Sequence, residues 1–262
     1  MIRPLLLLLA VASVYACKQK EKVVLQEEEI VAEEIKEKIN FQSEDGLEIT
    51  AYLYQFSPEA PTILLCHQAG FNKSEYQETA LNLYEMGYNC LAIDQRSGGT
   101  WSDSTMNETF EKAVLAGKKT KYADADQDVV AGINYLFDKY QRPCLVLGSS
   151  YSADLVIYQG IKNPKVKAII AFSPGNYIQQ EKGDLRKVLD SLDKPLFVSS
   201  SKDEIASQEL LLKRLKHSRK LVHHKPTVDG QHGSKALWST HEGHQEYWKA
   251  LKQFLNHVKK ND

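Results

Sequence analysis

The feature that most restricts the folds open to this chain is a series of six short, predominantly apolar runs, at 62–66, 90–93, 144–147, 166–172, 195–199 and 221–223, with helical periodicity between them. A strand that is apolar on both sides has no polar face to give to water. It belongs in a sheet covered on both sides, and the helices between the runs supply the cover. Helices are expected at 76–86, 123–140, 152–162, 185–192 and 207–217. A last amphipathic helix, at 242–259, carries Tyr247, Leu251, Phe254, Leu255 and Val258 on one side. Ahead of the runs, 39–42 and 47–54 alternate in polarity around Glu44-Asp45-Gly46, a β-hairpin signal. The expected class is α/β, with a mostly parallel central sheet, helices on both faces and antiparallel N-terminal strands. The segment 97–122 is long for a connection and rich in Gly, Ser, Thr and Asn, so it is expected to overhang the site or to carry a small excursion.

A chain of 262 residues suits one such domain. With 26% charged residues, a formal net charge of −1 and the two signs interspersed, nothing points to nucleic acid, for which a basic face or stripe is expected. The first residues differ from the rest: Arg3, an apolar run over 5–14, then Ala16 before Cys17. That run is too short to span a bilayer and reads as a secretory signal. It also resembles a bacterial lipoprotein signal, in which the cysteine becomes the lipidated first residue. The expected organisation is therefore a signal over 1–17, a charged tether over 18–38 and a globular domain over 39–262. The protein is expected to be exported to the cell envelope as a monomer, touching a membrane only through lipid on Cys17. Cys66, Cys90 and Cys144 each fall in an apolar run and are expected as buried free thiols, with a disulfide between two of them as the alternative.

The chemistry centres on Cys144-Leu145-Val146-Leu147-Gly148-Ser149-Ser150-Tyr151-Ser152-Ala153, an apolar strand that runs through Gly-x-Ser-x-Ser into a helical pattern. In a nucleophile elbow the serine sits on a strained strand-to-helix turn, so the residues two before and two after it must be small. Gly148 and Ser152 meet that need. The competing reading makes Ser149, Ser150 and Ser152 helix caps. A serine hydroxyl is a weak nucleophile until a histidine takes its proton and an acid orients that histidine. His232, in Asp229-Gly230-Gln231-His232-Gly233, follows the last run and precedes the final helix, with glycines that suit a mobile turn.

These motifs resemble those of the α/β-hydrolase superfamily over about 41–258, nearest its small dienelactone-hydrolase-like and esterase-like members. The resemblance implies the order serine, acid, histidine, and hence Ser150 as nucleophile and His232 as base. Asp203, after the run 195–199, is implied as the acid, with Glu204 as its rival. Leu64 to Tyr76 resembles the His-Gly-x-x-Gly loop, with Gln68 where glycine is usual. It implies an oxyanion hole from the amides of Ala69 and Tyr151, with Gln68 as the alternative to Ala69 and His67 as a brace. Asp94-Gln95-Arg96-Ser97-Gly98-Gly99 resembles a turn whose Asp and Arg hold loops together. The implied function is hydrolysis of a small-molecule ester, or a related acyl bond, through an acyl-enzyme. A serine peptidase acting on short peptides and a non-catalytic surface scaffold are the alternatives. No metal or organic cofactor is called for, since no zinc-ligand spacing is present. Trp101, Tyr177 and Trp238 are candidates either for lining an acyl pocket or for packing.

Overall fold

The computed structural model describes residues 35–99 and 106–260. The stretch expected as a signal, with Cys17, most of the stretch expected as a tether, and Trp101 lie outside the described residues. The strands are β1 (Lys36–Gln42), β2 (Glu48–Tyr54), β3 (Thr62–Cys66), β4 (Asn89–Ile93), β5 (Cys144–Ser149), β6 (Val166–Phe172), β7 (Leu196–Ser199) and β8 (Leu221–His223). They form one sheet in the order β1-β2-β4-β3-β5-β6-β7-β8. β2 runs antiparallel to β4, while β3 to β8 pair in parallel. The first strand starts at Lys36, ahead of the domain boundary expected at 39. An edge strand with half its residues exposed tolerates the Lys and Glu that made this stretch read as tether.

β3, β4 and β5 are buried at every position, as their predominantly apolar runs require. The helix Tyr151–Lys162 packs against β5 and β6 and is buried over most of its length. The final helix His244–Lys260 turns Tyr247, Trp248, Leu251, Phe254, Leu255 and Val258 inward at helical spacing. Burying one such large side chain contributes about 1.5–3 kcal/mol, so these two helices are fixed chiefly by the faces they hide.

The connectivity creates the site. From β3 the chain moves outward to β4, then returns past β3 to β5 on its other side, so the winding reverses between β3 and β5. Ligand crevices open at such reversals, beyond the carboxyl ends of the strands. The register sets Cys66 opposite Gly148, bringing the loop after β3 level with the turn after β5.

Several elements differ from expectation. The segment 97–122 holds a helix, Glu108–Leu115, whose first turn is capped by Asn107 accepting from Phe110 N at 2.8 Å. The helix expected at 207–217 is Ile205–Leu211 followed by a 3-10 turn, Lys213–Leu215, and the one expected at 185–192 is Leu185–Leu189. A single further turn, Gln179–Lys182, precedes it.

Buried charge ties the loops to this frame. Asp94 accepts from Lys73 N at 2.8 Å, Lys73 Nζ at 2.9 Å and Glu108 N at 2.9 Å. Arg96 is paired with Asp128 at 2.7 Å and Asp45 at 2.8 Å. Cys66, Cys90 and Cys144 are buried free thiols, which burial pushes above the ordinary thiol range. Among the described residues no helix is long and apolar enough to cross a membrane.

Candidate active site

The elbow is a consequence of crowding. Ser150 stands between β5 and the helix that begins at Tyr151, with φ 58° and ψ −124°. A side chain tolerates this left-handed backbone only where the surroundings impose it, at a cost of about 1–3 kcal/mol. Here the Ser150 amide donates to Phe172 O at 2.8 Å on one side, and on the other the Ser150 carbonyl accepts from Ala153 N at 2.9 Å. A Cβ added to Gly148 would come within 2.3 Å of the Ser152 carbonyl oxygen, so only glycine fits there. Ser152 replaces the second glycine of the common motif and makes its hydroxyl structural. That oxygen accepts from Ser149 N at 3.0 Å and has Cys66 O at 2.6 Å and His67 O at 2.8 Å as acceptors for its own proton.

His232 lies at the start of a 3-10 turn, Gly233–Leu237, and its Nε2 is 2.9 Å from Ser150 Oγ. The glycines around it allow close approach. Gly233 has φ +73°, and a Cβ there would lie 2.4 Å from Ser149 Oγ. Its amide donates to Ser173 Oγ at 2.9 Å and that of Ser234 to Ser149 Oγ at 2.8 Å, which pins the turn to β5 and β6.

The acid is where the structure departs from the sequence reading. Glu204, not Asp203, meets the imidazole: its Oε1 is 2.6 Å from His232 Nδ1. Both residues sit on a tight 3-10 turn, Lys202–Glu204, after β7. On that turn Asp203 faces solvent, while Glu204 folds back over Ser201. The second carboxylate oxygen of Glu204 accepts from Ser173 Oγ at 2.6 Å and Ser201 Oγ at 2.9 Å. Burial raises the Glu204 carboxyl, but hydrogen bonds from His232, Ser173 and Ser201 outweigh it and hold the group at about 2. A signal for this was present in the sequence, since Ser201-Lys202-Asp203-Glu204 is a Ser-x-x-Glu capping box and such a box turns its glutamate inward. Ser173, which braces both the acid and the histidine turn, had no motif to reveal it.

The loop after β3 is set in a defined register. The Gln68 amide donates to Glu75 Oε2 at 2.8 Å and is therefore occupied. Among the described residues the Ala69 amide donates to no protein acceptor, and Tyr151 opens its helix with an amide no earlier turn can take. Ala69 and Tyr151 thus keep free donors on the loop and helix that flank Ser150, and the Gln68 alternative falls away. His67 is buried and braces the loop, with Nδ1 2.9 Å from Gln68 O and Nε2 accepting from Gln95 N at 2.9 Å. Burial, its largest influence, lowers its proton affinity. The side chain of Tyr151 points away, its hydroxyl meeting Ser97 Oγ at 2.7 Å and its ring stacking on Tyr122 at 4.4 Å.

Of the two described aromatic candidates, Trp238 packs beside Phe71 and donates its indole N–H to Glu75 O at 3.0 Å. Tyr177 is 45% exposed on the loop after β6, which Asp154 holds by accepting from Gly175 N at 3.0 Å and Tyr177 N at 2.5 Å. Among the described residues no cluster of three His, Cys, Asp or Glu is placed to hold a metal.

No family model matches this chain, and no curated protein matches it. Solved structures do. An esterase of Pyrococcus furiosus aligns over 85% of this chain and 92% of its own, with 18% identity and a TM-score of 0.66. A dienelactone hydrolase of Anabaena variabilis aligns over 84% of this chain and 96% of its own, at 15% identity and a TM-score of 0.60. An acylaminoacyl peptidase of Pyrococcus horikoshii shares 86% of this chain but 41% of its own, at 16% identity and a TM-score of 0.59. The protein has the α/β-hydrolase fold.

Proposed function

We propose that this protein is a serine hydrolase that cleaves a small-molecule ester, or a related acyl bond, through an acyl-enzyme. The observation that carries the reading is the unbroken relay from Ser150 Oγ through His232 to Glu204, at 2.9 and 2.6 Å. In the proposed cycle His232 Nε2 takes the Ser150 proton as Oγ bonds to the acyl carbon, and Glu204 stabilises the imidazolium through Nδ1. The Ala69 and Tyr151 amides receive the carbonyl oxygen as it becomes negative, one such donor being worth about 3–4 kcal/mol of barrier. The imidazolium then protonates the leaving alkoxide. Water, deprotonated by the same histidine, releases the acid and returns the proton to Ser150. The esterase and dienelactone hydrolase that share this fold support the ester reading.

The test is a panel of nitrophenyl esters of graded acyl length, with an acylaminoacyl anilide included, run on wild type and Ser150→Ala. Ester turnover that is lost in the variant supports the proposal. Turnover of the anilide alone would move it to the peptidase reading, and none on any substrate would favour a scaffold. The leader reading extends the proposal: Cys17 carries lipid and tethers the enzyme at the cell envelope. Metabolic labelling with a radioactive fatty acid should mark the full chain and not Cys17→Ser. Label on both would contradict it.

A further inference from the structure

Glu75 is a buried acid that the relay does not use. It is 4% exposed, and among the described residues it forms no ion pair. Burying a carboxyl without a cation is costly unless many donors converge on it. The donors that converge on Glu75 are unusual in where they come from. Gln68 N donates to Oε2 at 2.8 Å and Gln68 Nε2 to Oε1 at 3.4 Å. Ser234 Oγ donates to Oε1, and the amide of the same Ser234 donates to Ser149 Oγ at 2.8 Å. Gln68 precedes Ala69, Ser149 precedes Ser150 and Ser234 follows His232 by two. One carboxyl thus meets a near neighbour of the oxyanion donor and of the base, and through Ser234 it reaches a neighbour of the nucleophile. The three segments are thereby linked in series, from Gln68 through Glu75 and Ser234 to Ser149.

We propose that Glu75 is a positioning residue for the reaction: by accepting from Gln68 and Ser234, whose amide in turn holds Ser149, its carboxyl fixes the oxyanion loop, the histidine turn and the elbow relative to one another. The chemistry of the side chain explains the choice. Burial raises the Glu75 carboxyl to about 7 against the hydrogen bonds it accepts, and in its ionised form both oxygens only accept, whereas a glutamine of equal size would turn an N–H₂ toward these donors. Occupying the Gln68 amide is also what leaves the next amide, that of Ala69, for a substrate oxygen. A displacement of about 1 Å at such a donor is enough to cost about 10²-fold in rate.

The inference rests on the hydrolase reading, and its test separates the two. Glu75→Gln is compared with wild type in the full chain for kcat and KM on a nitrophenyl ester. Affinity is measured for a trifluoromethyl ketone, to which Ser150 Oγ adds while its proton passes to His232 and the carbonyl becomes a bound oxyanion. The expected result is kcat lower by about 10- to 100-fold, KM within about twofold, and ketone affinity lower by the same factor as kcat/KM. A folded Glu75→Gln with wild-type kcat and ketone affinity overturns the proposal. So does one that loses kcat while keeping ketone affinity. Where Glu75→Gln does not fold, Ser234→Ala decides, since it keeps the acid and removes one donor. It should show the same pattern at about 3- to 10-fold, and wild-type behaviour overturns the proposal. Wild type inert to both ester and ketone would instead sink the hydrolase reading, and this role with it.

Discussion

A carboxylate serves a histidine only where its oxygen reaches the ring nitrogen, and after β7 that is decided by one methylene and one tight turn. Asp203 and Glu204 are adjacent, yet the 3-10 geometry sends the first into solvent and the second back to His232. Glu204→Gln should therefore lower kcat by about 10³- to 10⁴-fold, because an amide favours the wrong imidazole tautomer, while Asp203→Asn should leave it within about twofold. Ester kinetics on the two variants check this. Glu204 also makes a signed statement about stability. Its carboxyl is held at about 2 against an ordinary 4.5, so the stabilisation is complete above 4.5 and is lost as pH falls from there toward 2. Urea titrations of wild type and Glu204→Gln should converge across that window, the wild type losing roughly 3 kcal/mol more. The sequence narrowed the acid to these two neighbours and favoured the wrong one, because a family's usual loop says which residue type to expect and not which way a turn faces. The capping box beginning at Ser201 was the local physical signal that favours Glu204.

Within elements, the elbow concentrates the constraint. Gly148→Ala would drive a methyl group into the Ser152 carbonyl, a backbone atom that cannot swing aside. It should destabilise the fold by about 1–3 kcal/mol and lower activity as Ser150 is displaced. Ser152→Ala removes the hydroxyl that joins Ser149 N to the end of β3, leaving a buried amide unmet, and should cost about 1–3 kcal/mol. Urea denaturation with a parallel ester assay reads both. Elements with strong patterns were legible: predominantly apolar runs became β3, β4 and β5, and the amphipathic spacing near the C-terminus became His244–Lys260. The helix Glu108–Leu115 was not. It is short, leaves Val114 and Leu115 exposed, and lies in a stretch whose Gly and Ser content reads as loop.

At the scale of the molecule, the fold converts sequence distance into proximity by reversing its winding between β3 and β5, and buried ion pairs then fasten the loops over that crevice. Arg96→Met should destabilise the protein by about 3–5 kcal/mol, since it strands the fully buried Asp128. Burial already raises Asp128 to about 6, above its ordinary 3.8, so the folded state holds a proton there more tightly than the unfolded state does. The loss in Arg96→Met should accordingly be smaller at pH 5 than at pH 8 by urea titration. The overall architecture was legible because each level of pattern agreed with the next: apolar runs, intervening helices and ordered motifs at strand ends. The bracing contacts of Ser173 and Glu75 were not, because they join residues far apart in the chain through single hydrogen bonds that leave no periodic trace. The central claim is that Ser150 is activated by His232. The most direct measurement is mass-spectrometric mapping of the folded protein after reaction with a fluorophosphonate, in which Oγ displaces fluoride at phosphorus and the proton passes to the histidine. One adduct on Ser150, absent from Ser150→Ala and much slower to form in His232→Ala, is the result expected. A folded wild type that forms no adduct, or carries it on another residue, would contradict the account.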